Sequence, residues 1–516
     1  MSSRLSDIEH FVVVMLENRS FDHMLGFLYP RNGAPRGQAF EGLTGSESNP
    51  DNKGKASPVF KIQAKDPHPY FMPGANPGEG YLNTNAELFS GRAQDPAGMP
   101  AMQGFVTNFD YTLNWESKQK GAILSGTTSA KIMGMYTPEM LPVLSGLAKG
   151  YAVCDLWFSS APTETFPNRA FAAMATSQGF VSDKSRSLFN APSIYTALAK
   201  AGRSWAIYGY DAPPLTRGSI ADIASAPAAN FGEFTDFQQA VKLGALANYV
   251  FLEPEWSAKG NSQHPDYDVA LGEQFLHDIY YTLYGSPIWD KTLLIITYDE
   301  HGGCYDHVPP PANAVPPDDS TGELGFDFKR FGVRVPTVLI SPFIAAGTVY
   351  RTQSSTPLDH TSILATVEKR YGIAALTARD KTAPTFDDVL TLASARSDDP
   401  LVGVTVPVSK GGPKPAAGMN HLVQALVDSA DRLPISDAAG NGHHHERPLL
   451  KDEDSALDYV RARYQAFDGK KEVLAYTPKS KRKASARKSK DSKKKTKAVG
   501  RKQRGTGSTG PRARKS

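Results

Sequence analysis

The chain has 516 residues, 40% of them hydrophobic and 21% charged, the balance of a globular protein that can bury a large core. No apolar run exceeds six residues, which excludes a transmembrane helix, and two cysteines, Cys154 and Cys304, exclude a disulfide framework. The net charge of +4 conceals a segregation: residues 479–516 hold 17 of the 57 basic and one of the 53 acidic residues, which leaves 40 basic and 52 acidic on the rest.

Taken in chain order, the N-terminal residues lack the basic region, apolar stretch and cleavage site of a signal peptide, so the chain as written reads as cytoplasmic or as exported by a route that the sequence does not show. Phe11–Leu16 reads as a buried parallel strand that runs straight into Glu17-Asn18-Arg19-Ser20-Phe21-Asp22-His23. Residues 31–58, rich in Gly, Pro, Ser and Asn, read as a surface loop. Pro167 fits the first turn of a helix, which puts Thr165 near a helix N-terminus. Further strands are expected at Trp205–Tyr208, Tyr249–Leu252, Thr292–Thr297 and Val335–Ile340, and helices at 193–201, 269–284 and 361–371, with stops at Gly202 and Gly372. Residues 309–319 and 406–418 read as loops. Strand and helix alternation predicts a layered α/β sheet, with the ligand site beyond the carboxyl ends of the strands. The expected organisation is one domain over 1–476 and, over 477–516, a tail too polar to fold.

The strand ends carry the chemistry. Glu17 and Asn18 offer hard oxygen ligands for a divalent cation, although the segment could equally be a loop with Ser20 or Asp22 capping a helix. Thr292–Thr297 runs into Tyr298-Asp299-Glu300-His301-Gly302-Gly303-Cys304-Tyr305-Asp306-His307, where five of ten residues are Asp, Glu or His and a glycine pair permits a sharp turn. That density points to a metal or acid–base role. Thr165 stands where helix N–H groups bind phosphate, and its hydroxyl could attack phosphorus, although Thr163 or Thr165 could also be a plain cap.

EHFVVVMLENRSFDH (9–23), YAVCDLWFSSAPTETFPNRAFAAMATSQG (151–179), HPDYDVALGE (264–273) and TLLIITYDEHGGCYDHVPPP (292–311) resemble the bacterial and plant phosphoesterase family, which contains non-specific phospholipases C and a group of acid phosphatases. The resemblance covers roughly residues 7–380. It implies an alkaline-phosphatase-like α/β/α sandwich with a mostly parallel sheet, and a nucleophile at Thr165. It also implies one divalent metal on Glu17, Asn18, Asp299 and Glu300, with catalytic histidines at His264 and His301. Asn168, His360 and His68 are then expected around the phosphate, while His23 and His307 read as structural. Oxygen ligands suit Ca, Mg or Mn, and nitrogen neighbours admit Zn.

The expected reaction is hydrolysis of a phospholipid to diacylglycerol and a phosphorylated headgroup through a phosphothreonine. A phosphatase acting on soluble phosphomonoesters is the close rival; an apolar rim near the metal would favour the lipid enzyme, a closed polar pocket the phosphatase. A rival of another class is an inactive hydrolase fold that binds nucleic acid or an anionic membrane through its basic tail. No obligate protein partner is expected.

Overall fold

The apolar run Phe11–Leu16 is a strand covered on both faces. In the computed structural model, which describes residues 4–469 except 95, 120, 184–188, 266, 320, 413–418, 434 and 436–446, it extends to β1 (His10–Leu16), with all seven residues buried. The other strands of the same sheet are β2 (Ala152–Val153), β3 (Trp205–Gly209), β4 (Phe231–Glu233), β5 (Tyr249–Leu252), β6 (Thr292–Tyr298), β7 (Val338–Ile340) and β8 (Thr348–Val349), arranged β8-β2-β7-β6-β1-β5-β3-β4. β6 is also wholly buried, which is why neither central strand alternates polar and apolar residues.

β1 pairs in parallel with β6 on one side and β5 on the other. The register runs from His10 opposite Thr292 to Leu16 opposite Tyr298. Glu17-Asn18 and Asp299-Glu300 therefore leave the sheet side by side, although 281 residues separate Asn18 from Asp299.

One strand differs from expectation. Val335–Ile340 was expected to be parallel; the strand is Val338–Ile340 and runs antiparallel to both β6 and β2. Parallel neighbours need a crossover, usually helical. Between β6 and β7 the only helical element among the described residues is the single turn Glu323–Gly325, so the chain re-enters the sheet from the edge at which it left. The remaining pairings in the sheet are parallel.

The expected helices form at Ile194–Lys200, Val269–Leu283 and His360–Tyr371. Ser193 caps the first by accepting the Thr196 N–H, and Gly372, at φ 68°, ends the last. Thr165–Met174 packs against His360–Tyr371, and Pro142–Gly150 against Val269–Leu283. Two C-terminal helices, His421–Asp431 and Glu453–Phe467, pack on each other and build a second apolar cluster with Leu215, Trp256 and Phe166, next to the helix start at Thr165. No helix among the described residues is long and apolar enough to cross a membrane. The basic tail lies outside the described residues.

Candidate active site

The two strand ends meet through backbone and carboxylate. Asn18 adopts a left-handed conformation (φ 55°), which asparagine tolerates better than most residues, and donates its N–H to Asp299 Oδ1 at 3.0 Å. Gly302 (φ 62°) lies so close that a Cβ there would sit 2.1 Å from the Asn18 carbonyl oxygen. This contact explains the first glycine of the pair. Asp299 Oδ1 also accepts the Glu300 N–H at 2.8 Å, and Oδ2 accepts Arg169 Nε at 3.0 Å.

The neighbouring carboxylates are not satisfied. Both oxygens of Glu17 and Oε1 of Glu300 are buried with no hydrogen-bond partner among the described residues. Burial, with Asp299 beside it, pushes the Glu17 carboxyl well above its usual range against the pull of Arg169. Burial likewise raises Glu300 to about 8, with His301 opposing. Buried carboxylates in excess of their cations are costly, and orphaned oxygens at a strand end suit a hard divalent ion.

Thr165 is the first residue of its helix and is fully buried; its hydroxyl donates to Asn18 Oδ1 at 3.3 Å. The cap position belongs to Glu164, so Thr165 is no cap, and Thr163 turns away to donate to the Val181 carbonyl at 2.6 Å. Asn168, expected at the phosphate, has a different task. Its Oδ1 accepts the Ala161 N–H, and its Nδ2 donates to the carbonyls of Ala161, Thr163 and Glu164, so its amide braces the turn that carries Thr165.

The histidines separate by role. His301 lies between Glu87 (Nε2 to Oε2, 2.7 Å) and Glu300 (Nδ1 to Oε2, 3.3 Å). Burial works against its charge, but the two carboxylates outweigh burial and hold the ring up to about 10. His360 Nε2 donates to the Asp299 carbonyl at 2.7 Å, while Nδ1 is buried without a partner among the described residues. His264 is buried beside Tyr267 and His421, with ring centroids 4.9 and 5.7 Å away. His68 sits exposed, in a left-handed conformation, at the turn Pro69–Phe71, outside the buried group.

Arg169, one turn beyond Thr165 on the same helix face, carries no role in the sequence reading. Its guanidinium bonds Asp299, the carbonyls of Met15 and Leu16, and approaches Glu17 to 3.9 Å, stacked 4.6 Å from the Trp256 ring; Nη1 stays free of partners among the described residues. The spacing from Thr165 was the available signal. Asp183, which accepts the Phe166 N–H at 2.7 Å and whose carboxyl is pushed up by burial and Glu164, carried none, nor did Glu87.

The length of the two motifs has a structural cause. Arg334 Nε bonds Asp306 Oδ1 at 2.9 Å, its Nη2 bonds Asp22 Oδ1 at 2.8 Å, and His307 Nδ1 meets Asp22 Oδ2 at 2.6 Å. Ser20 Oγ adds a bond to the Tyr305 carbonyl at 2.6 Å. This network stitches the two strand-end loops together. Arg334 and a His307 held up to about 9 balance the two aspartates. His23, whose charge burial suppresses, is packed on Arg19 and is structural.

A cleft of about 450 Å³ lies beside Glu164, lined by Glu79, Asn83, Arg92, His421, Tyr111 and Trp115, the last two each about half exposed (52% and 51%).

A threonine hydroxyl, a fixed arginine and unsatisfied carboxylates thus meet at the carboxyl edge of a mostly parallel sheet, and the chain's relatives make it a hydrolase of phosphoric esters. The chain belongs to the Phosphoesterase family, whose sequence profile matches residues 8–374. It is 34% identical over 492 residues to non-specific phospholipase C3 of Arabidopsis thaliana, covering 90% of this chain and 89% of that one. It is 28% identical to phospholipase C A of Mycobacterium tuberculosis, over 72% of this chain and 74% of the other. Among solved structures, a protein in the alkaline phosphatase superfamily from Vibrio parahaemolyticus aligns at 14% identity and TM-score 0.30, over 48% of this chain and 65% of that one.

Proposed function

We propose that the chain is a phospholipase C that works through a phosphothreonine. The observation that carries the reading is the Thr165 hydroxyl, 3.3 Å from Asn18 Oδ1, in a pocket where Glu17 and Glu300 leave buried oxygens without partners. Of the four expected ligands Glu17 and Glu300 keep free buried oxygens that would hold a divalent cation, while both Asp299 oxygens are taken by the Asn18 and Glu300 N–H groups and Arg169; such an ion would supply the positive charge that favours an alkoxide.

Thr165 Oγ attacks phosphorus in line. A P–O bond to Thr165 forms, and the P–O bond to the glycerol oxygen breaks. Arg169, fixed by Asp299 and two carbonyls, turns its free Nη1 to the phosphate oxygens, where charge builds. Diacylglycerol leaves with a proton. Water then attacks the phosphothreonine, releases the phosphorylated headgroup and restores the hydroxyl. Of the two histidines expected to supply the proton, His301 has both ring nitrogens against carboxylates and acts as a positioning residue for Glu300. The proton source therefore lies on the His264 side of the cleft.

A lipid substrate is supported by Tyr111 and Trp115, two half-exposed aromatic residues in the cleft of the kind that sit in headgroup regions, and by the names of the relatives. The test is product analysis. Phosphatidylcholine vesicles should yield diacylglycerol and phosphocholine, and a chelator should abolish both. Turnover of an aryl phosphate with vesicles untouched would favour the phosphatase reading instead.

A further inference from the structure

Three residues from distant segments converge beside the cleft, two of which, Glu79 and His421, line it. One nitrogen of His264, one of His421 and one oxygen of Glu79 all lie within 4.8 Å of one another. Each is anchored to the active-site frame. The His264 carbonyl accepts Arg19 Nη2 at 2.8 Å, from the loop that carries Glu17 and Asn18. Asn420, which caps the helix beginning at His421, donates to the Trp256 carbonyl at 2.9 Å, and the Trp256 ring lies over Arg169. Glu79 precedes Gly80, where a Cβ would stand 2.8 Å from Glu164 Oε1, one residue before Thr165. Glu79 Oε2 is buried with no hydrogen-bond partner among the described residues, and Oε1 is 3.9 Å from His421 Nε2, beyond a direct bond.

The contrast with the other His–carboxylate group is instructive. In Asp22–Asp306–His307 the centre is filled by Arg334, which bonds both aspartates. At Glu79 the carboxylate keeps an orphaned oxygen, and further carboxylates of Glu164, Asp183 and Glu300 stand nearby, close enough that Glu79 raises the last two.

We propose that Glu79, His264 and His421 form a second metal site, separate from the Glu17–Glu300 centre, that takes a zinc-class divalent ion. Two imidazoles and a carboxylate form a borderline donor set that favours zinc, cobalt or nickel over calcium, and three protein ligands leave a position open to water. Only the site's role rests on the phosphoesterase reading: water at that position would stand on the side from which the leaving alcohol takes its proton.

Full-length protein stripped by chelator is titrated with zinc, and bound zinc per chain is measured after gel filtration. Cobalt loading provides a visible ligand-field spectrum. His421→Ala and Glu79→Gln should each lose one zinc per chain and the cobalt bands, while Asp299→Asn keeps those bands. The metal-free melting temperature of His421→Ala should match wild type. Wild-type zinc content and cobalt bands in both His421→Ala and Glu79→Gln would overturn the second site. Failure of the Thr165 centre would show separately, as full hydrolysis by Asp299→Asn.

Discussion

At the residue scale the separation of Thr165 from Thr163 is the sharpest assignment, because the two hydroxyls sit two positions apart and face opposite ways. Thr165 Oγ1 points to Asn18, and Thr163 Oγ1 to the Val181 carbonyl. Thr165→Val keeps the shape and removes the nucleophile, so turnover should fall on the order of a thousandfold or more. Thr163→Val should stay within about tenfold of wild type and lose roughly 1 kcal/mol of stability for a buried hydrogen bond. Steady-state rates and denaturant melts on the pair decide it, and the reverse pattern would move the nucleophile. The carboxylates of this site were legible in the sequence because each pair directly follows an apolar strand. Arg169, Asp183 and Glu87 were not. Arg169 meets Asp299 across 130 residues and Glu87 meets His301 across 214, and no local pattern records such partners.

At the element scale the long buried strands β1 and β6 could be read nearly to the residue, since unbroken runs of six apolar residues in β1 and four, between threonines, in β6 leave little choice. β2, β4 and β8 are two or three residues long, too short for any periodicity, and take their geometry from their neighbours. The reversed direction of β7 was not legible either, for direction is fixed by how the chain returns and not by strand composition. The helix His360–Tyr371, which brings His360 to the Asp299 carbonyl, carries its own titratable lock. Burial, with the carboxylate of Asp380 beside it, holds Glu368 up at about 9, against an ordinary 4.5. A raised carboxyl stabilises the fold fully below its unfolded value, and that stability is lost as pH rises through about 9. Glu368→Gln keeps a donor toward Asp380 without a proton to lose. Wild type and variant should melt together near pH 4, and the variant should melt higher by roughly 2 °C near pH 10. Parallel pH–melting curves would show that Glu368 does not titrate there.

At the scale of the whole molecule the acidic body and basic tail pose the last question. The body carries −12 and residues 479–516 carry +16. The described fold closes before that segment: the helix Glu453–Phe467 ends at Asp468, which pairs with the buried Arg217 at 2.6 Å. Removing 479–516 touches none of these contacts, so hydrolysis of a soluble aryl phosphate should be unchanged. Vesicles are another matter. Each basic residue near an anionic surface contributes roughly 1 kcal/mol, and that attraction acts within a Debye length of about 8 Å at physiological ionic strength. The truncated protein should therefore bind anionic vesicles less and hydrolyse them more slowly at low salt, with the gap closing as salt rises. Zwitterionic vesicles should show no gap at any salt. Equal binding of both proteins to anionic vesicles at low salt would remove the tail from membrane recruitment. A loss of aryl phosphatase activity on truncation would tie the tail to the catalytic body instead.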